Sequence, residues 1–202
     1  MPIDDHNDVL EKHRVVLDGA LIVDVLPQHL CEAKYSAEKT LTLNGHALIP
    51  GLINLHTHAA MSLMRGMADD LPLQEWLEKH VWPTEAAHID RQFVYDGTSL
   101  AAVEMLKSGT TTFNDMYFFP DEVAKAAIAT GIRATVGMIV IGFPSAWAQT
   151  TDEYIARGQK VHDEYRSHPF ISTTCSPHAP YTVDDSALSR IATLAEELDV
   201  PI

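Results

Sequence analysis

Apolar and polar positions change their period at about residue 50 of the chain. From there on, short apolar runs alternate with stretches in which apolar residues recur every three or four positions, the spacing of one helix face. Strands are predicted at 52–58, 110–116, 133–141 and 170–176, helices at about 90–108, 120–130, 151–167 and 184–199, and a further strand begins at 200–202. Strands that alternate with helices at this spacing indicate a parallel sheet, either doubly wound or closed into a barrel.

No phosphate-binding glycine motif follows the first predicted strand of this sheet. The sequence there reads HTHAAMSLMRG, which matches neither the dinucleotide-binding pattern nor the P-loop. We therefore predict an α/β fold of the (β/α)8 TIM-barrel type for residues 50–202. Because a complete barrel takes about 250 residues, we expect this chain to hold only the first half, four β/α units that end at the start of strand five.

Residues 1–49 follow a different pattern, in which short β-like runs are separated by turn dipeptides. Asp18-Gly19 divides the run RVVLDGALIVDVLP, and Asn44-Gly45 divides the run KTLTLNGHALIP. Such dipeptides are typical of two-residue hairpin turns. We predict that this segment is the N-terminal part of a small β domain of the sandwich type.

The charge of the chain narrows the range of its ligands. Its 28 acidic side chains against 14 basic ones give a formal net charge of -14, which argues against binding to nucleic acid or to an anionic membrane surface. We expect a small neutral or cationic ligand instead. Cys31 and Cys175 lie far apart, and the sequence has neither a positively charged apolar leader nor a long apolar run, so we expect a cytoplasmic protein with reduced thiols.

Two histidines end the first predicted barrel strand, in the sequence PGLINLHTH. Side chains alternate faces along a strand, so His56 and His58 point the same way, with Cα atoms roughly 6.5 to 7 Å apart. Catalytic groups of a parallel barrel stand at the carboxyl ends of its strands, and two imidazoles at this spacing can bind one metal ion. The alternative is a polar strand end with two hydrogen-bonded histidines that bind no ligand.

The sequence PGLINLHTH resembles the signature of the amidohydrolase superfamily, in which this strand delivers two metal ligands. Three further blocks narrow the resemblance: HTHAAMSLMRGMADDLPLQEWLEKHVWPTEAAH, SGTTTFNDMYFFP and SPHAPYTV. Together they are similar to the branch that contains 5-methylthioadenosine/S-adenosylhomocysteine deaminases and their chlorohydrolase relatives. The similarity runs from about Val15 to the end of the chain, with the blocks in the same order.

The resemblance implies roles for four residues of the chain. It implies that His56 and His58 bind zinc, that Glu85 binds the ribose hydroxyls, and that His178 contacts the purine. An ionised carboxylate only accepts hydrogen bonds and therefore suits a pair of hydroxyl donors. Without the resemblance, Glu85 is interpreted as a solvated charge at a helix end, and His178 as a buried histidine bonded to the backbone.

The activity implied by the resemblance is that of a zinc-dependent aminohydrolase. Such an enzyme deaminates an adenosine-type nucleoside, here 5-methylthioadenosine, S-adenosylhomocysteine or adenosine, and releases ammonia. One zinc ion per subunit is expected, and imidazole ligands also suit other divalent metals. The resemblance places the acid/base glutamate beyond Ile202, so no catalytic residue is expected within this chain. It implies a small-molecule nucleoside as partner, and barrels of this kind are commonly homo-oligomers.

Two alternatives stay open at the level of the sequence. A triazine or guanine aminohydrolase or chlorohydrolase of the same superfamily would share the metal site, but a carboxylate that binds ribose, such as Glu85, would serve no purpose there. A fragment without the second half of the site would bind its metal incompletely and would be inactive. Glu85 tests the first alternative, and metal content tests the second.

A departure from the family pattern predicts the substrate preference. Some relatives place an arginine just after the third strand, where it binds the carboxylate of S-adenosylhomocysteine. Here Arg133 lies at the start of that strand, the next arginine is Arg157, and Met138 lies near the expected position. A hydrogen bond to a charged group contributes about 1.5 to 3 kcal/mol. We therefore expect 5-methylthioadenosine, which has no carboxylate, to be preferred roughly ten- to a hundredfold.

Overall fold

A β-hairpin forms the first regular structure of the chain in the computed structural model, which describes residues 8–202. Strand β1 (His13–Asp18) pairs with strand β2 (Leu21–Pro27) in antiparallel register. Gly19 supplies the left-handed backbone of the turn, with a φ of 56°, so the hairpin predicted at Asp18-Gly19 is confirmed. The short helix α1 (Gln28–Lys34) follows β2 directly.

The second hairpin predicted near the N-terminus is present only as a turn. Gly45 has a φ of 69°, but residues 39–50 contain no strand, so the β-like runs predicted on either side of Asn44-Gly45 are wrong. Leu41 and Leu43 are more than half exposed to solvent. A two-stranded ribbon is only marginally stable unless its apolar face packs against another part of the protein. The exposed side chains of Leu41 and Leu43 provide no such packing. By its contacts, the chain divides into one unit at Met1–Pro50 and a second at Gly51–Ile202.

The second unit contains the predicted parallel sheet. Its strands are β3 (Leu52–Thr57), β4 (Thr110–Asp115), β5 (Arg133–Val140) and β6 (Ile171–Pro177), hydrogen-bonded in that order. Sequential order with parallel pairing throughout is what the first half of a (β/α)8 barrel requires. The predicted alternation of strand and helix is thereby confirmed.

Helices fill the connections between these strands. In chain order they are a 3₁₀ helix (Ala59–Met64), α2 (Leu73–Trp76), a π-helical turn (Leu77–Val81), α3 (Trp82–His88), α4 (Arg91–Lys107), α5 (Pro120–Thr130), α6 (Thr151–Tyr165) and α7 (Asp185–Leu198). Helices α4 to α7 lie within about two residues of the predicted limits, whereas the segment from α2 to α3 was not predicted as helical. Within residues 8–202, no helix is both long enough and apolar enough to span a membrane.

The strand predicted to begin at 200–202 is absent from the structure. Residues 200–202 have no regular secondary structure. Pro201 O accepts one hydrogen bond from Cys175 N of β6, at 2.9 Å. A ladder consists of a series of such bonds, and a single bond does not make a strand.

The register of the sheet aligns the carboxyl end of β3 with that of β4, and the carboxyl end of β5 with that of β6. Thr57, the last residue of β3, pairs with Asp115, the last residue of β4. Asp115 in turn pairs with Val136 of β5, and Val140 of β5 pairs with Pro177 at the end of β6. Polar residues that follow β3, β4 and β6 therefore meet along one edge of the sheet.

Helix α4 packs closely on the turn that follows β3. A Cβ atom at Gly97 would overlap the backbone of Ala60, and both residues are buried. Only glycine allows two backbones to approach this closely. The contact fixes, from the helix side, the segment that begins directly after His58.

Candidate active site

The two histidines predicted as metal ligands lie together at the carboxyl end of β3. Their ring centroids are 5.2 Å apart and their planes meet at 74°. His58 Nδ1 lies 2.7 Å from the carbonyl oxygen of Met116. A carbonyl oxygen only accepts, so Nδ1 carries the proton and Nε2 keeps its lone pair. A backbone carbonyl that fixes the histidine tautomer in this way is typical of metal-binding histidines.

The donor chemistry of this pair fits a metal ion, although two imidazoles do not complete a site. Neutral imidazole is a common ligand of zinc and of related divalent metals. Within residues 8–202, no group of three or more His, Cys, Asp or Glu side chains is placed to hold a metal. His56 and His58 could therefore hold zinc as part of a larger set of ligands.

Strand β4 ends in a buried carboxylate that the sequence analysis did not assign to the site. Asp115 is 1% exposed, and its Oδ1 accepts hydrogen bonds from Thr57 Oγ1 at 2.8 Å and from Ala59 N at 2.6 Å. Burial is the main cause of the raised pKa of Asp115, which is about 6, and the two hydrogen bonds oppose the rise. Its Oδ2 is buried and has no hydrogen-bond partner among the described residues. Its position at the carboxyl end of a barrel strand could have identified Asp115 as a site residue from the sequence.

Glu85 is not a solvated charge at a helix end. It is half-buried on α3, and its Oε1 accepts a hydrogen bond from the hydroxyl of Tyr117 at 2.7 Å. Burial raises the pKa of Glu85, while the bond from Tyr117 and the charge of His58 lower it. The ring of Tyr117 is buried, with its centroid 6.3 Å from that of His58. Tyr117 therefore connects the carboxylate on α3 with the histidines on β3.

His178 lies just beyond the end of β6 and is anchored by its backbone and its ring. Its backbone N–H donates to Val140 O at 3.0 Å, and its Nδ1 lies 2.8 Å from Thr182 Oγ1. The Thr182 hydroxyl donates to the carbonyl oxygen of Ala179 at 3.1 Å, so Nδ1 donates to Thr182 and Nε2 stays available to a ligand. Burial lowers the pKa of His178, and the charge of His58 lowers it further.

A cleft of about 890 Å³ opens beside the loop that carries His178. Its size lies in the range of small-molecule sites, about 300 to 1,000 Å³. Trp82 and Phe143 meet edge to face in its wall, with ring centroids 5.6 Å apart. The residues that line it are Gln74, Trp82, Ala86, Gly142, Phe143, Pro144, Pro180, Tyr181, Thr182, Val183 and Asp184. This lining is largely apolar and includes an acidic residue but no basic one.

The structure places three of the four predicted residues near one another. His56 and His58 share one strand end. Tyr117, which is bonded to Glu85, has its ring centroid 6.3 Å from that of His58. His178 follows β6 at the same end of the sheet. The described residues show no ligand set of three. What the sequence analysis missed is the segment Asp115–Tyr117, which contacts both the histidine strand and α3.

Known proteins are similar to this chain over its whole length. Residues 47–202 match the model of the family described as the Amidohydrolase family. A 5-methylthioadenosine/S-adenosylhomocysteine deaminase of Saccharophagus degradans is 46% identical over 202 residues, which are 100% of this chain and 45% of that protein. The crystal structure of an adenosine deaminase from Xanthomonas campestris with bound zinc superposes with a TM-score of 0.96 and 49% identity, over 100% of this chain and 46% of that one.

A more distant similarity concerns the fold alone. The structure of a mutant atrazine chlorohydrolase from Arthrobacter aurescens, complexed with zinc and atraton, superposes with a TM-score of 0.83 at 21% identity. The match covers 98% of this chain and 49% of that one. This chain thus spans about half the length of the relatives that it matches.

Proposed function

This chain belongs to the amidohydrolase family, and on that premise we propose that it is part of a zinc-dependent aminohydrolase that deaminates an adenosine-type nucleoside. The observation that carries the proposal is the cluster at the ends of β3 and β4, where paired histidines lie beside the bonded pair Glu85 and Tyr117. The names of the relatives, deaminases of 5-methylthioadenosine, S-adenosylhomocysteine or adenosine, support it.

His56 and His58 are proposed to contribute two of the metal ligands. Their ring centroids lie 5.2 Å apart, and the Met116 carbonyl holds His58 in the tautomer that leaves Nε2 free. Zinc held there supplies Lewis-acid activation of a water molecule. The remaining ligands and the acid/base glutamate are proposed to lie in the part of the relatives that this chain does not cover.

Glu85 and His178 are proposed to bind the two ends of the nucleoside. The Glu85 carboxylate accepts hydrogen bonds from both ribose hydroxyls, while the Tyr117 hydroxyl keeps it in place. His178 contacts the purine through Nε2, because its Nδ1 is occupied by Thr182. These contacts favour a nucleoside over a free purine base or a triazine, which lack the ribose that Glu85 would bind.

The proposal is tested on the whole enzyme, meaning this chain together with the remaining length of its relatives. Ammonia release from 5-methylthioadenosine, adenosine and adenine is measured beside the zinc content of the same sample. Turnover of both nucleosides with zinc bound supports the proposal. Turnover of adenine alone, or of a triazine alone, would favour one of the other activities in the superfamily.

We predict that Glu85→Ala chiefly weakens nucleoside binding. A hydrogen bond to a charged group contributes about 1.5 to 3 kcal/mol, so the KM for 5-methylthioadenosine should rise roughly ten- to a hundredfold. A group that binds the ground state and the transition state equally affects KM rather than kcat, so kcat should stay within about threefold. Steady-state kinetics on the zinc-loaded whole enzyme measures both constants.

Two further variants control for this result. Tyr117→Phe removes the hydroxyl that positions Glu85, and KM should rise in the same direction but by less, roughly three- to tenfold. Glu78→Ala removes an exposed glutamate from the same stretch of chain and should change neither constant. A collapse of kcat at unchanged KM in Glu85→Ala would assign this residue to the chemical step instead.

We also predict that the whole enzyme prefers 5-methylthioadenosine to S-adenosylhomocysteine by roughly ten- to a hundredfold in kcat/KM. No basic residue lines the 890 Å³ cleft that opens beside the loop carrying His178. Arg133 is exposed at the start of β5, where it stacks on Phe170, and Met138 is buried at 3% exposure. Kinetics with the two substrates side by side measures the ratio.

Arg157 provides the control for this preference. Its guanidinium stacks on the ring of Trp147, 5.2 Å from the centroid, and pairs with Glu153. Because it is already engaged, Arg157→Gln should leave the ratio of the two kcat/KM values unchanged. Equal values for the two substrates in the unaltered enzyme would contradict the prediction, and loss of S-adenosylhomocysteine turnover in Arg157→Gln would identify this arginine as the carboxylate ligand.

A further inference from the structure

Asp115 bonds to the residues on both sides of His58. Its Oδ1 accepts from the Ala59 backbone N–H at 2.6 Å and lies 2.8 Å from the Thr57 hydroxyl, whose single proton it shares with the Asn114 carbonyl oxygen at 2.9 Å. One carboxylate oxygen therefore connects the side chain of Thr57 with the backbone of Ala59, the residues before and after His58. Asp115 is 1% exposed, so these bonds are shielded from water. Hydrogen bonds to a charged group are stronger in the protein interior than in water.

Met116, which follows Asp115, makes one bond to Thr57 and one to the ring of His58. Met116 N donates to Thr57 O at 3.1 Å, and Met116 O accepts from His58 Nδ1 at 2.7 Å. The carboxylate fixes the backbone around His58, and the carbonyl fixes its ring. Since Ala59 is also the first residue of the 3₁₀ helix, its N–H would otherwise lack a partner within that helix.

We propose that Asp115 is a positioning residue for the metal centre, which acts by holding the backbone of His58 so that Nε2 is directed to the same point as His56. This inference rests on the proposed role of the two histidines as metal ligands. Asp115 itself does not touch the metal or the substrate. Its effect is on the geometry of a ligand, and contacts of this kind typically change metal affinity roughly 10- to 100-fold.

The test compares zinc affinities of the whole enzyme and its variants, measured by competition with a chromophoric chelator. Asp115→Ala should raise the dissociation constant for zinc roughly 10- to 100-fold, and Asp115→Asn, whose Oδ1 still accepts both bonds, should stay within about threefold. Circular dichroism of the metal-free proteins shows whether each variant is folded. The visible spectrum of the cobalt-substituted proteins reports the ligand geometry directly and should change in Asp115→Ala.

A matched pair of threonine substitutions keeps the test decisive if Asp115→Ala does not fold. Thr57→Val removes the hydroxyl that Asp115 Oδ1 and the Asn114 carbonyl oxygen share, and zinc affinity should fall roughly three- to tenfold. Thr173→Val removes a buried hydroxyl bond of similar length, to His162 Nδ1 at 2.7 Å, on another strand. That variant should bind zinc like the unaltered enzyme, since a general loss of stability does not alter the affinity of the folded protein.

The outcomes separate this inference from the proposed function. Unaltered zinc affinity and cobalt spectra in Thr57→Val and in folded Asp115→Ala, together with lost affinity in His58→Ala, would overturn the role of Asp115 alone. Equal losses in Thr57→Val and Thr173→Val would also overturn it. If the unaltered enzyme binds no zinc, or if His58→Ala binds it normally, the proposed function fails and this inference fails with it.

Discussion

Replacement of His56 or His58 by alanine is expected to remove zinc from the whole enzyme and to lower kcat/KM at least about a thousandfold. Each substitution deletes one of the few ligands of a catalytic zinc site, which usually has three from the protein. The fold should survive, because His56 is exposed and His58 is only half-buried, so neither change leaves a large cavity. Metal analysis, circular dichroism and kinetics on the same samples measure the three effects.

An exposed histidine elsewhere in the chain is the control for this pair. His29 lies on α1 and is exposed, and His29→Ala should keep both zinc and turnover. A variant at His56 or His58 that retains full zinc and full activity would remove that residue from the ligand set. Loss of the folded spectrum together with loss of zinc would instead assign a structural role to the residue.

The parallel sheet could be predicted from the sequence because its strands are separate apolar runs with helical patterns between them. The run that forms β5 is buried, with Val136, Met138 and Ile139 at most 3% exposed, whereas the apolar side chains of β3 lie at the edge of the sheet and are exposed. The site at the carboxyl ends of the strands then follows from the topology. His56 and His58 could be identified for this reason, because their spacing and their position at the end of a strand together indicate a metal site.

The contacts of Glu85 could not be predicted in the same way. Its partner Tyr117 is 32 positions away in the chain, and the bond depends on how the segment between β3 and α4 folds back over β4. In that segment Pro83 interrupts the helical pattern, because proline has no backbone N–H to donate. The chain passes through a π-helical turn at Leu77–Val81 before α3 begins. No regular period in the sequence predicts such a turn.

The residues that hold the site were missed for a related reason. No charged residue close to Asp115 in the sequence pairs with it, and it accepts its hydrogen bonds from the hydroxyl of Thr57 on β3 and from the backbone N–H of Ala59 in the 3₁₀ helix. Only the register, in which Thr57 faces Asp115, makes that contact. Residues 39–50 show the opposite error, because local turn chemistry was present at Asn44-Gly45 but the described structure forms no strands there. Local patterns predict a turn, but pairing depends on what the strands can pack against.

The 202-residue chain expressed alone is expected to release no ammonia from 5-methylthioadenosine and to self-associate. Strand β3 is an edge of the sheet, and its side chains Leu52, Ile53 and Leu55 are 53%, 62% and 73% exposed. An apolar edge strand of this kind pairs readily with other chains. Size-exclusion chromatography with light scattering measures the association, and an ammonia assay on the same material measures the activity.

Insolubility and an incomplete metal site can be separated with one substitution in the isolated chain. Leu55→Lys places a charge on the exposed edge strand and should reduce association. It adds no metal ligand, and the described residues contain no group of three that could hold a metal, so the more soluble chain should still be inactive. Steady ammonia release by either form, with an intact mass of 22.3 kDa, would show that this chain completes a working site without the remaining length of its relatives. Restored activity on mixing the inactive chain with the missing part of a relative would instead support the proposal that the site is assembled from both.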